Sequence, residues 1–230
     1  MRREEDSSLL IPPSSFSLFM SRTALIVGAT GLVGGECVHQ FAESPEFSRV
    51  VALTRRPLRD ATHRKVESHV VDFERLDEAK EHFRVSHVVC ALGTTIKKAG
   101  SQASFRRVDH DYPVAAARIG LEQGAQHFLL VSALGANARS RIFYNRVKGD
   151  VEQAIRALPY RSVTIARPSI LLGEREETRV GETIGKVVSR FAPRRIRAVP
   201  ARDVAAALLR AALDDAPGVR IIESKDLHRA

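Results

Sequence analysis

Tyr144 and Lys148 lie four positions apart in the segment Tyr144-Asn-Arg-Val-Lys148. On a helix that spacing puts a phenol and an ammonium on one face, about one turn apart. A nearby ammonium stabilises tyrosinate and draws the phenol pKa toward working pH. Such a pair can pass a proton to or from a carbonyl oxygen while a hydride moves to or from the carbon. Ser132 closes an apolar run, His127–Ser132, twelve positions before Tyr144, where its hydroxyl can donate to the same oxygen. Tyr-x-x-x-Lys also occurs on ordinary helix surfaces, so the reading depends on what accompanies it.

What accompanies it is a glycine turn. Ala24-Leu-Ile-Val-Gly-Ala-Thr-Gly-Leu-Val-Gly-Gly35 places Gly28, Gly31 and Gly34 after an apolar run, and Val33, Cys37, Val38 and Phe41 follow on one helical face. A buried strand, a tight turn and a helix N-terminus present free backbone N–H groups to a dinucleotide pyrophosphate. The expected cofactor contacts here are Gly28, Thr30, Gly31, Leu32, Val33 and Gly34. The next strand ends in Arg55-Arg56, with no acid before Asp60. Acids at that position meet ribose hydroxyls, whereas a guanidinium pairs with a 2′-phosphate through two parallel bonds. The expected cofactor is therefore NADP(H); the alternative is that these arginines face solvent in a basic protein. Asp72, with Phe73 alongside, is placed to accept from the adenine amino group. Leu92, Gly93, Thr94 and Arg167 complete the cofactor-side set, together with Tyr144 and Lys148. Thr94 and Thr95 read equally as phosphate contacts and as turn caps.

Apolar runs alternate with amphipathic segments along the chain. Expected strands are Thr23–Val27, Arg49–Thr54, Glu67–Asp72, His87–Ala91, His127–Ser132 and Ser162–Ala166, with a later one at Val219–Glu223. Expected helices are Leu32–Ala42, Leu76–Phe83, Gln102–Gln123, Phe143–Ala157, Glu182–Arg190 and Ala201–Asp214. This alternation predicts an α/β fold: a doubly wound, mostly parallel sheet with helices on both faces. Strands covered on both faces are apolar throughout. Ligands bind outside the carboxyl ends of such strands, where the residues named above collect. Residues 21–230 read as one domain, with 168–200 as a short C-terminal substrate-side lobe. Residues 1–20 are charged, then Pro/Ser-broken, and read as a disordered extension with Met20 as a second possible start.

The chain has 230 residues, 44% hydrophobic and 27% charged, with a formal net charge of +9. The positive charge would suit an anionic partner, but the arginines are scattered without interleaved aromatics, so nucleic-acid binding is not expected. No apolar run is long enough to span a membrane. Cys37 and Cys90 sit in apolar segments, read as core thiols of a reduced protein, and point to a cytoplasmic location. No Cys/His spacing suggests a metal site. His110 and His127 read as a loop and a strand-edge residue, Tyr112 and Phe143 as packing residues.

Gly28, Gly31, Gly34, Ser132, Tyr144 and Lys148 together resemble the short-chain dehydrogenase/reductase superfamily. More narrowly, the chain resembles an atypical branch, the oxidoreductase-like relatives of the Tat-interacting protein. The likeness runs through Val70–Asp77, Leu92-Gly-Thr-Thr95, Lys98-Ala-Gly100, Phe105–Tyr112, Val147–Glu152, Arg167-Pro168 and Leu171–Glu177. The resemblance implies a Rossmann fold, NADP(H) and a Ser/Tyr/Lys site in which Lys148 also binds the nicotinamide ribose. Two departures stand out: Asp109 replaces the Asn of the superfamily's proton relay, and the fourth strand ends in Ala91-Leu-Gly-Thr rather than Asn-Ala-Gly. The expected activity is NADP(H)-dependent oxidoreduction of a small carbonyl or hydroxyl compound. The alternative is a non-catalytic NADP(H)-binding module that senses cofactor and binds a protein partner, with a homodimer also open.

Overall fold

The periodicity of buried residues explains the architecture of the computed structural model, which describes residues 21–58, 63–172 and 197–228. The expected helix Glu182–Arg190, the N-terminal extension and residues 173–196 of the short lobe lie outside the described residues. In β1 (Arg22–Val27), Ala24 and Ile26 face one core while Leu25 and Val27 face another, and all four are fully buried. Successive strand side chains point to opposite faces, so a strand covered on both sides must be apolar at every position.

β1 lies within a seven-stranded sheet. Its partners are β2 (Phe47–Thr54), β3 (Val66–Val70), β4 (His87–Cys90), β5 (His127–Val131), β6 (Ser162–Arg167) and, beyond the two-residue strands β7 (Leu171–Leu172) and β8 (Val199–Pro200), β9 (Gly218–Glu223). The order is β3-β2-β1-β4-β5-β6-β9, and every neighbouring pair is parallel. β7 and β8 pair separately. The chain reverses its direction of travel between β1 and β4, which opens a crevice at their carboxyl ends.

One face is covered by helix α1 (Leu32–Glu43), whose Val33, Cys37 and Phe41 pack with Val204 and Leu208 of the last helix, Ala201–Asp214. The other face carries the segment Phe73–Phe83 and the helices Tyr112–Glu122 and Phe143–Arg156, through Leu76, Phe83, Ala116, Ile119, Val151 and Ile155. With the short α2 (Ile96–Ala99) and α3 (Gln102–Arg106), these helices are α4, α5 and, at Ala201–Asp214, α6.

Three elements differ from the sequence reading. Residues 73–83 form a 3₁₀ segment rather than a helix from Leu76. Non-helical backbone at Arg75 and Ala79 breaks it into short turns, the form in which 3₁₀ structure is used. The expected long helix from Gln102 is interrupted by a π-helical turn at Arg107–Asp111. Pro113 follows directly and has no N–H to continue the i→i−4 ladder. Finally, β3 is not apolar throughout: it is a sheet edge with Glu67 exposed and paired to Arg49 of β2 at 2.8 Å.

Phe41 is fully buried, with its ring centroid 4.9 Å from that of Phe47. Phe41→Ala should lower the denaturant-measured unfolding free energy by about 3–5 kcal/mol. A loss under about 1 kcal/mol would contradict the packing of α1 described above.

Candidate cofactor and active site

The turn after β1 is built so that only glycine fits. Gly28 has φ +90°, and a Cβ there would come within 2.8 Å of the Ala91 carbonyl and 2.9 Å of the Leu92 nitrogen. A Cβ on Gly34 would lie 2.1 Å from the Gly28 oxygen. The bare Gly28 lets the end of β4 press against the turn, and the bare Gly34 lets α1 do the same. Gly31 is the N-cap of α1, without a side-chain cap, and the first turn carries no acid. The helix start therefore keeps free N–H donors and a positive dipole end, the combination that accepts a phosphate. Val33 is core, and Leu32 packs against that core, so both offer the ligand their backbone.

Thr30 and Gly31 also line an open cleft of about 880 Å³ that runs along α1 to Val38, His39 and Ala42, and is walled opposite by Arg56, Leu58 and His63. Arg55 and Arg56 are both exposed, and neither is paired with a carboxylate among the described residues. Glycine cradle, open helix start and free guanidinium together fit a phosphate-bearing dinucleotide.

At the other end of the same sheet edge, α5 carries Tyr144 half-buried and Lys148 buried on one face. The Lys148 Nζ lies 2.8 Å from Asp109 Oδ1, both side chains almost fully buried. Asp109 comes from the π-helical turn, and its Oδ2 accepts the Thr94 N–H at 2.9 Å. Burial alone pushes the Lys148 pKa down; Asp109 and the neighbouring Tyr144 more than offset it, so the ammonium is held above the ordinary lysine range. The ring of Tyr144 packs 5.6 Å from Phe105.

Ser132 is buried just beyond β5, and its hydroxyl donates to Glu152 Oε1 at 2.5 Å. Glu152 stands four residues after Lys148 and eight after Tyr144, so one helical face carries all three. Its carboxylate takes two bonds from Arg167, at 3.0 and 2.6 Å, and Arg167 also meets Glu223 of β9 at 3.0 Å. Sequence reasoning missed Glu152; the signal was its helical register with the Tyr/Lys pair.

The remaining expected residues are placed as follows. Asp72 caps the 3₁₀ segment, accepting from the Glu74 N–H and pairing with Arg75, while its side chain stays half exposed. Phe73 is buried against Tyr112, with ring centroids 5.8 Å apart. Leu92 packs on the second core, and Gly93 faces the Asp109–Lys148 pair, its Cβ position 3.5 Å from Asp109 Oδ1. Thr95 caps α2 by accepting the Lys98 N–H. Arg167 sits in the Glu152 and Glu223 ion pairs described above. His127 begins β5, as expected of a strand-edge residue, and is almost fully buried there, bonded to Asp215 and Thr164.

Residues 28–215 match the model of a family described as NAD(P)H-binding, and the chain belongs to it: an NAD(P)H-binding Rossmann domain of the atypical short-chain dehydrogenase/reductase type. The chain is 37% identical over 217 residues to "Protein FMP52, mitochondrial" of Eremothecium gossypii, covering 89% of this chain and 95% of that one. It is 36% identical over 169 residues to "Protein HTATIP2" of Rattus norvegicus, covering 72% and 69%. Among solved structures, the Bordetella bronchiseptica enzyme WbmH in complex with NAD+ superposes with a TM-score of 0.70 at 13% identity, covering 88% of this chain and 76% of that one. The structure of gox2181 gives 0.66 at 20% identity, covering 90% and 95%. These two share the fold.

The comparisons overturn the cytoplasmic expectation, because FMP52 relatives from several yeasts are named mitochondrial proteins. Buried thiols argue only for reducing surroundings, which more than one compartment supplies. Burial does push both thiols up, Cys90 to about 12, in keeping with inert core cysteines.

Asp109→Asn would leave the Lys148 ammonium buried without its counter-charge, at an expected cost of about 3–5 kcal/mol near neutral pH. The pH dependence should also reverse. In the wild type the raised Lys148 pKa gives stability that is lost as pH rises through it. In the variant, burial depresses that pKa, and stability is regained as pH rises. Urea denaturation from pH 7 to about 11.5 measures both: below the ordinary lysine value of about 10.5 the variant's stability climbs while this contribution is flat in the wild type, and above it the wild type's falls; parallel profiles would contradict the pairing.

Proposed function

We propose that the chain is an NADP(H)-dependent oxidoreductase that moves a hydride to or from a small carbonyl or hydroxyl compound through Ser132, Tyr144 and Lys148. The observation that carries this reading is the placement of Lys148. It lies buried on the Tyr144 face of α5, held by Asp109, at the same sheet edge as the glycine turn. Gly28, Gly31, Gly34 and the start of α1 would hold the pyrophosphate, Arg55 and Arg56 the 2′-phosphate, and Lys148 the nicotinamide ribose. When bound, the nicotinamide supplies or accepts the hydride.

The protein's own part is proton handling and orientation. Tyr144 exchanges the proton with the substrate oxygen. Lys148 keeps a positive charge beside the phenol, and Asp109 anchors that charge. Ser132 must turn its one proton from Glu152 to the substrate oxygen in order to stabilise it there.

The existing Ser132–Glu152 bond favours a second reading. With its proton committed, Ser132 is not ready to donate, and the chain would then bind NADP(H) without turnover and present it to a protein partner. The two readings separate in one experiment. Tyr144→Phe should remove turnover in a screen of carbonyl and hydroxyl compounds while NADPH affinity stays within about threefold. Ser132→Ala should cost about 10²–10³ in kcat. Tight NADPH binding with no Tyr144-dependent turnover on a broad panel supports the module instead.

Cofactor choice has its own test. Arg55→Ala combined with Arg56→Ala should weaken NADPH by about 1.5–3 kcal/mol, roughly 10- to 100-fold, and leave NADH nearly unchanged. Equal loss for both nucleotides, read by calorimetry, would contradict the 2′-phosphate assignment.

A further inference from the structure

The opposite edge of the sheet holds a second cluster that the proposed reaction does not use. His87 is the first residue of β4, His127 the first of β5, and Asp215 the residue after α6. His87 Nε2, His127 Nδ1 and a carboxylate oxygen of Asp215 all lie within 4.8 Å of one another. Both histidines are almost fully buried, while the Asp215 side chain is partly open to solvent.

Two tautomers of His87 fit its contacts, and one of them leaves a lone pair open. The Ser86 hydroxyl lies 2.8 Å from the Thr23 carbonyl, from the Thr23 nitrogen and from His87 Nδ1. Where the ring carries its proton on Nδ1, that nitrogen donates to Ser86. In a neutral ring Nε2 is then a bare lone pair. Yet it faces two other acceptors, the Ala212 carbonyl at 3.2 Å and Asp215 Oδ1 at 3.9 Å. Three lone pairs converge where one cation would satisfy all of them.

The other groups match a metal centre. His127 Nδ1 lies 3.0 Å from Asp215 Oδ1. Distances of 3.0 and 3.9 Å bracket about 3.3 Å, the ligand–ligand edge of a tetrahedron with bonds of about 2.0–2.1 Å. The far nitrogen of each ring already meets a hydroxyl: His87 Nδ1 on Ser86, His127 Nε2 on Thr164 at 2.9 Å. Arg161 holds the second Asp215 oxygen and also bonds the Asp215 carbonyl at 2.8 Å, which aims Oδ1 at the histidines. Outer partners of this kind orient the ligands of metal sites.

We propose that His87 Nε2, His127 Nδ1 and Asp215 Oδ1 bind one zinc ion, or a divalent ion of similar size and softness, as a clip joining α6 to the amino ends of β4 and β5. Binding moves the single His127 proton from Nδ1 to Nε2, which then donates to Thr164, so no net proton is released. The ion enters from the Asp215 side, and the Ala212 carbonyl or water completes four-coordination. The three ligands come from elements far apart in sequence, so no motif announces the site.

The test titrates the tag-free, full-length, chelator-treated chain with Co²⁺ and then Zn²⁺. One equivalent of cobalt should give the absorption bands of a four-coordinate site, and zinc should displace them and raise the thermal midpoint. His127→Gln and Asp215→Asn should each weaken binding at least about 100-fold, and Thr164→Val about 10-fold, with NADPH affinity unchanged in all three. Should His127→Gln fail to fold, Asp215→Asn, at the open side of the cluster, carries the comparison. Absence of stoichiometric binding, or equal binding by wild type and the Asp215→Asn variant, overturns the proposal.

Discussion

The active-site half of this molecule depends on one buried ion pair, Lys148 Nζ against Asp109 Oδ1 at 2.8 Å. Neither charge is tolerable alone at that depth, so their elements must arrive together. Asp109 needs the π-helical turn, which Pro113 favours by withholding a backbone donor. Lys148 needs α5 in its observed register. Through the Thr94 N–H, the same carboxylate ties down the chain leaving β4, next to the residues that press on Gly28. The pair therefore links the reacting end of the site to the glycine turn.

Much of this was legible in the residues. The strands could be read because covering both faces demands unbroken apolar runs, and α6 was read with the bounds it has. The edge strand β3 escaped that rule for the same physical reason: an edge needs fewer apolar residues and carries charge. The 3₁₀ segment and the π-helical turn were read as ordinary helix because apolar spacing does not reveal the backbone kinks at Arg75 and Ala79 or the wider turn before Pro113. Glu152 was overlooked although it shares the helical face of Tyr144 and Lys148. Arg167, read as a cofactor contact, is held by Glu152 and Glu223. Ion pairs of that kind join residues distant in sequence, and no local pattern encodes them. The same holds for His87, His127 and Asp215.

The two edges of the sheet thus do different work. The carboxyl edge carries the uncapped start of α1 and two exposed arginines. The amino edge gathers lone pairs around a point where a cation belongs. Between them lies a mostly apolar sheet, and both clusters stand at its ends.

The central claim is that the glycine turn and the Lys148 pair belong to one cofactor site. The most direct measurement is a crystal structure of the chain with NADP+ bound. The account predicts the pyrophosphate at Gly28–Gly34, the 2′-phosphate on Arg55 or Arg56, and the nicotinamide ribose within hydrogen-bond reach of Lys148 with the ring facing Tyr144. A nicotinamide directed away from Lys148, along the α1 cleft, would contradict it.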